Sequence, residues 1–113
     1  MNIDDLTIGQ ARELAALVGG AGKEPASHPW VIGANYFIRT VTMAQTGKLV
    51  SVHRHELVLS EAAWIADTGR FAQAVDKSDF SEIEPFPDGR RVIVGRASII
   101  DAVEIPSLPR SQK

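Results

Sequence analysis

The chain has no cysteine, which excludes disulfide staples, thiolate metal sites and cysteine nucleophiles and suits a reducing compartment. It has no apolar run approaching the roughly 20 residues that span a bilayer. Its opening stretch, MNIDDLTIGQ, carries acids but no basic cluster of a secretory leader, so neither export nor a membrane partner is expected. An excess of either charge is lacking too. Twelve Lys and Arg face 14 Asp and Glu, a net charge of -2, which excludes coating nucleic acid by bulk charge and leaves room only for a local basic patch. The glycine-rich phosphate loop and the HExxH helix are absent, and none of Ser51, Ser60 and Ser98 sits in a nucleophile elbow. Asp76, Asp79, Glu82 and Glu84 fall in a polar stretch that reads as solvated surface rather than an acid–base pair. No enzyme and no cofactor is expected.

What is present fits one small soluble domain of 113 residues, 44% hydrophobic and 23% charged. Thr7 and Gln10 have capping-box spacing, and Ile8, Ala11, Leu14, Ala15 and Val18 recur at helical intervals, predicting a helix over 8–18. A Gly- and Pro-dense loop follows over 19–33. Residues 35–65 form the centre of the chain, and their β-branched, alternating pattern predicts a meander of three antiparallel strands. The first runs from Tyr36 to Met43 and the second from Lys48 to His53, with the turn at 44–47. After a polar corner at His53, Arg54 and His55, the third runs from Glu56 to Ala63. Its unbroken Leu57–Val58–Leu59 run predicts burial on both faces and hints at subunit packing. Tyr36, Phe37 and Trp64 read as core rather than stacking platforms.

Residues 66–89 lose the two-residue period. Phe71, Ala74 and Val75 at helical spacing, after Asp67, Thr68 and Gly69, predict a short helix in this insertion. The acidic, Pro-rich FSEIEPFPDG should be extended and end in a turn. Two short strands follow over 91–105, bent at Gly95 and Arg96, and the Pro-containing tail 106–113 reads as an exposed arm. The fold expected is mainly β with an N-terminal helix, a five-stranded small barrel with a helical insertion between the third and fourth strands.

GKLVSVHRHELVLSEA over 47–62 and VIVGRASIIDAVEI over 92–105 resemble the two signature halves of the Sm-like family of small barrels. In that family the first half is an apolar strand, a tight polar corner and a Leu-rich strand ending in Ala. The second is an apolar strand, an Arg-Gly pair and another apolar strand. This chain differs in carrying His53 and Glu56 where the family has Asp and Asn, and Gly95-Arg96 in place of Arg-Gly. The resemblance implies a homo-oligomeric ring that binds RNA, DNA or a small nucleotide. It points to His53, Arg54, His55, Glu56, Gly95 and Arg96 as ligand-binding residues, with no metal. The whole chain, above all NYFIRTVTM, AAWIADTGRFA and EPFPDG, also resembles a family of small phage and prophage proteins. That resemblance implies a site of action in the host cytoplasm or the virion. Two alternatives stay open beside the binding ring. One is a structural or assembly component of a phage particle that contacts other phage proteins, and the other is sequestration of a host-defence nucleotide signal. Each of these residues also has a bland reading: the corner as a solvated turn, Arg96 as a surface residue beside a glycine needed for curvature.

Overall fold

The computed structural model describes residues 28–113. Residues Met1–Trp30 and Val31–Lys113 fall into separate units, and the β-sheet belongs to the second. The helix expected over 8–18, and the loop as far as residue 27, lie outside the described residues.

The expected meander is built as β1 (Asn35–Thr40), β2 (Ala44–Val52) and β3 (Glu56–Asp67), each antiparallel to the next. A single helix among the described residues, α1 (Phe71–Lys77), follows β3, and then come β4 (Glu82–Pro85), β5 (Val92–Gly95) and β6 (Ile99–Glu104). These form one six-stranded sheet in the order β4-β3-β2-β1-β6, with β5 also paired to β3.

The five-stranded small barrel expected from the pattern is therefore not what forms. The sheet is open and has six strands, because the segment expected only to run extended before its turn pairs with β3 as β4. This strand pairs with the second half of β3, whereas β5 pairs with the first half, through Glu56↔Gly95 to Leu59↔Val92. At the other side β6 pairs only with β1, so no ladder joins the two ends of the sheet among the described residues.

The first turn is also displaced from its expected place. The chain reverses at Val41–Met43, and residues 44–47 are already strand. Gly47 is buried there, and a Cβ on it would lie 2.9 Å from the Cβ of Leu59. This glycine permits close packing against β3 and makes no turn.

Three consecutive residues of β1, Tyr36, Phe37 and Ile38, are buried, as are Leu57, Val58 and Leu59 of β3. Successive strand residues point to opposite faces, so both faces are covered at these points. The Leu57–Leu59 run is buried within one chain and needs no neighbouring subunit to shield it. On one face Phe37, Ala63, Ile65 and Ile83 pack with Ala74 of α1, Phe80 and Ile105. The ring of Phe80 meets that of Phe37 edge-on at 5.2 Å. Trp64 departs from the core expectation: it points away from this cluster and is 43% exposed.

Helix α1 is too short to be stable alone, and local bonds hold it in place. Asp67 Oδ1 accepts from Gly69 N at 2.8 Å, which turns the chain one step ahead of the helix. Ser78, at φ 55°, ends it in the left-handed conformation, with its N–H donating to Ala74 O.

The tail over 106–113 is not a free arm. Arg110 Nη1 donates to Ala62 O at 2.7 Å, and its Nη2 donates to Phe86 O at 3.0 Å and to Asp88 at 2.8 Å. Lys113 and Ile83 exchange two main-chain bonds of 3.0 Å, which cover the outer edge of β4. Arginine's fixed fork of donors suits such a clamp on main-chain carbonyls.

Candidate functional site

The residues singled out in the sequence come from two segments far apart in the chain, 53–56 and 95–96, and antiparallel pairing of β3 with β5 joins them. Glu56 stands opposite Gly95, and Arg96 N donates to His55 O at 2.9 Å. The turn His53–Glu56 is closed by His53 N donating to Glu56 O at 2.8 Å. Arg96 Nη1 then donates to His53 O at 2.6 Å, fastening the turn to the short 3-10 segment Arg96–Ser98 that follows β5.

The roles of these six residues differ from one another. Arg96 is half-buried and its guanidinium holds the corner, so it positions rather than presents. His53, Arg54 and His55 are exposed and face solvent. His53 Nε2 lies 2.9 Å from Ser51 Oγ, which fixes its ring beside β2. Gly95 has open space where a Cβ would stand and an ordinary extended φ of -71°. Its absence of a side chain keeps the β5 edge clear, but no backbone strain demands glycine there. Among the described residues no group of three or more His, Asp and Glu is placed to hold a metal.

Sequence reasoning missed the surroundings of this corner. Continuing from Ser51, the register aligns Ser51 with Val58 and Val58 with Ile93 across three strands. Ile93 is 68% exposed. The signal was present in the alternation of Arg91, Ile93 and Gly95 against the buried Val94, and it becomes readable once β5 is known to flank β3.

One ion pair lies away from the corner. Arg39 on β1 is matched to Asp101 on β6 by bonds of 2.8 and 2.5 Å, and its guanidinium stands 5.3 Å above the Phe71 ring. The hydrogen bond from Arg39 holds the Asp101 carboxyl below the usual carboxylate range, and the same bond raises Arg39.

No helix among the described residues is long and apolar enough to cross a membrane. Comparison of the chain with protein-family models, curated proteins and solved structures gives no match.

Proposed function

We propose that the protein is a non-enzymatic, phage-type binding module that assembles with copies of itself and takes RNA, DNA or a nucleotide at the His53–Glu56 corner. One observation carries the reading: two distant segments converge so that Arg96 is spent on the main chain while His53, Arg54 and His55 remain outward. An arginine and two imidazoles on a fastened turn suit a phosphate, which accepts several charge-assisted bonds at once.

Assembly has separate support. Of the three strands at the sheet's borders, β4 is covered by Lys113, whereas β5 and β6 pair on one side only among the described residues. Open edges of this kind are satisfied by a strand from another chain. The β5 edge ends at the corner, so pairing β5 of one copy with β6 of the next would repeat the corner around a closed ring. Such a protein would work in the cytoplasm of an infected host or within the virion.

A packing block of a phage particle is the second reading. The observation favouring it is that Ile93 and Ile100, on the two open-edged strands, are 68% and 63% exposed.

Native mass spectrometry of protein taken directly from cells tests the first reading. The expected result is an oligomer carrying nucleotide or nucleic acid. Arg54→Ala should lose the ligand and keep the oligomer. A monomer at micromolar concentration would overturn assembly, and an oligomer that binds no oligonucleotide or nucleotide would favour the packing block.

A further inference from the structure

The tail over 106–113 fills a groove along the outer flank of β4 while adding little to the core. Leu108 packs against the apolar cluster, and it is only partly buried. Polar bonds do most of the holding. Ser78 Oγ donates to Ser107 O at 2.7 Å, Gln112 Nε2 donates to Glu84 Oε2 at 3.2 Å and Lys113 Nζ donates to Asp79 Oδ1 at 3.0 Å, all at exposed positions. Each such bond contributes little beside buried apolar area. The tail therefore opens at a lower free-energy cost than the sheet beneath it.

What fills the groove also shows what fits it. Lys113 pairs with the main chain of Ile83, Gln112 reaches Glu84 and Arg110 reaches Phe86 O, so the tail runs antiparallel to β4. An occupant needs an extended backbone at Ile83 and a basic side chain for Asp79. Three residues earlier it needs an arginine whose fork reaches Ala62 O, Phe86 O and Asp88. The charges are complementary, with Arg110 and Lys113 laid against Asp88 and Asp79. Glu61, the residue before the clamped Ala62, holds φ 53° although it is not glycine, and strain of this kind collects at clamps and switch regions.

We infer that the outer flank of β4 is a docking groove for an extended, arginine-bearing segment of a partner protein, and that the chain's own tail occupies it until that partner displaces it. The mode is strand addition at a sheet edge, in which main-chain pairing gives affinity and the arginine cradle gives selectivity. A second copy is a poor displacer. Its tail makes the same bonds, whereas the resident tail is tethered and refills the groove at a high effective concentration. A partner segment with a further basic residue beyond the place of Lys113 would also lie beside Glu82, which is exposed, and would bind more tightly than the tail. No residue of the His53–Glu56 corner takes part, so the groove is independent of the corner reading.

The probe is a labelled peptide with the sequence of residues 106–113 followed by a lysine, read by fluorescence anisotropy against the full chain and its variants. Arg110→Ala should bind the peptide about tenfold or more tightly than the parent does, because its own tail competes less. Replacing the peptide's arginine by alanine should lose about tenfold or more, and Arg110→Ala/Asp88→Ala should bind the intact peptide several-fold more weakly than Arg110→Ala does. Bound peptide should slow amide exchange at Ile83 of Arg110→Ala and leave Val94 unchanged. Circular dichroism of Arg110→Ala should retain the sheet.

A folded Arg110→Ala that does not bind the peptide would overturn the groove. So would amide exchange at Ile83 of the parent no faster than in β3, since the tail would then open only with the whole sheet. That second measurement decides the matter if Arg110→Ala does not fold. The occupant is tested by mixing isotopically heavy and light copies of the parent and coupling Lys113 to Asp79 with a carbodiimide. Products confined to single copies support the partner protein. Heavy–light products would overturn it and give the groove to exchange of tails between copies.

Discussion

One sheet face is shared by two halves that the chain treats in opposite ways, although β2 and β3 run through both. In the covered half β2 and β3 contribute Ala44, Ala63 and Ile65, which pack with Ala74 of α1, Phe80 and Leu108 of the tail, and Thr46, which is buried opposite Ala63. In the open half the same strands contribute Lys48, Ser51 and Ser60, which are partly exposed, beside Val58, which is buried. The change falls where the β2–β3 register shifts, between Thr46 and Lys48, opposite Glu61 at φ 53°. A bulge is thus the boundary between a packing surface and a presented one. The strands themselves need no break to serve both.

Substitution at one apolar residue in each half gives the widest contrast. Phe37→Ala, in the covered half and 1% exposed, should cost about 3–5 kcal/mol by removing a buried ring and leaving a cavity. Ile93→Ala, in the open half, should change stability by less than about 0.5 kcal/mol. Urea unfolding followed by circular dichroism measures both. Equal losses at the two positions would show that the open half is packed in solution and would erase the distinction.

The next effect concerns what closes the covered half. Arg110→Ala removes three hydrogen bonds, two of them to main-chain carbonyls. It should cost about 2 kcal/mol, in the range for bonds made by a charged donor. Because Lys113 caps β4, amide exchange at Ile83 should accelerate more than at Val94 of β5. Uniform acceleration would mean that the tail acts on global stability and not on the β4 edge.

How far these halves can be read from sequence depends on the range of the interactions. Alternation and β-branching mark β1 to β3, and Phe71, Ala74 and Val75 mark α1, because these signals are local. The segment FSEIEPF is legible as extended, but its place in the sheet is not: Ile83 lies opposite Ile65 and is buried. Its strand state comes from the partner it finds. The same holds for the tail, since nothing near Arg110 in the chain announces carbonyls at Ala62 and Phe86. Barrel closure failed as an expectation for the same reason: β4 occupies part of the β3 flank, and its presence depends on non-local pairing. At the corner, the residue types were legible and their division of labour was not. Arg54 and Arg96 are alike in sequence, and only the fold spends one on His53 O.

Two smaller changes should stabilise the boundary. Thr46 is fully buried, and its Oγ1 has no hydrogen-bond partner. Thr46→Val, of similar shape, should therefore gain about 1 kcal/mol by removing an unsatisfied hydroxyl. Glu61→Gly should gain about 0.5 kcal/mol by relieving a left-handed backbone at a residue with a Cβ. Thermal melts at neutral pH resolve both. A loss at Thr46→Val would point to a bond made by the hydroxyl in solution.

The smallest effect lies at the edge of the covered half, where Asp101 and Arg39 tie β6 to β1 over the Phe71 ring. The folded Asp101 carboxyl titrates below its unfolded value of about 3.9. The folded state therefore binds fewer protons there than the unfolded state. The pair's contribution is fully present above the unfolded value and is lost as pH falls through the lower folded value. Both side chains are about half exposed, so water and salt screen the pair. Asp101→Asn should be slightly less stable than the parent at neutral pH, and the difference should shrink in acid. Urea midpoints of the two proteins from pH 7 downward measure this, and added salt should narrow the gap at neutral pH. A gap that stays constant into acid would assign the effect to the geometry of the β6 edge and not to the charge of Asp101.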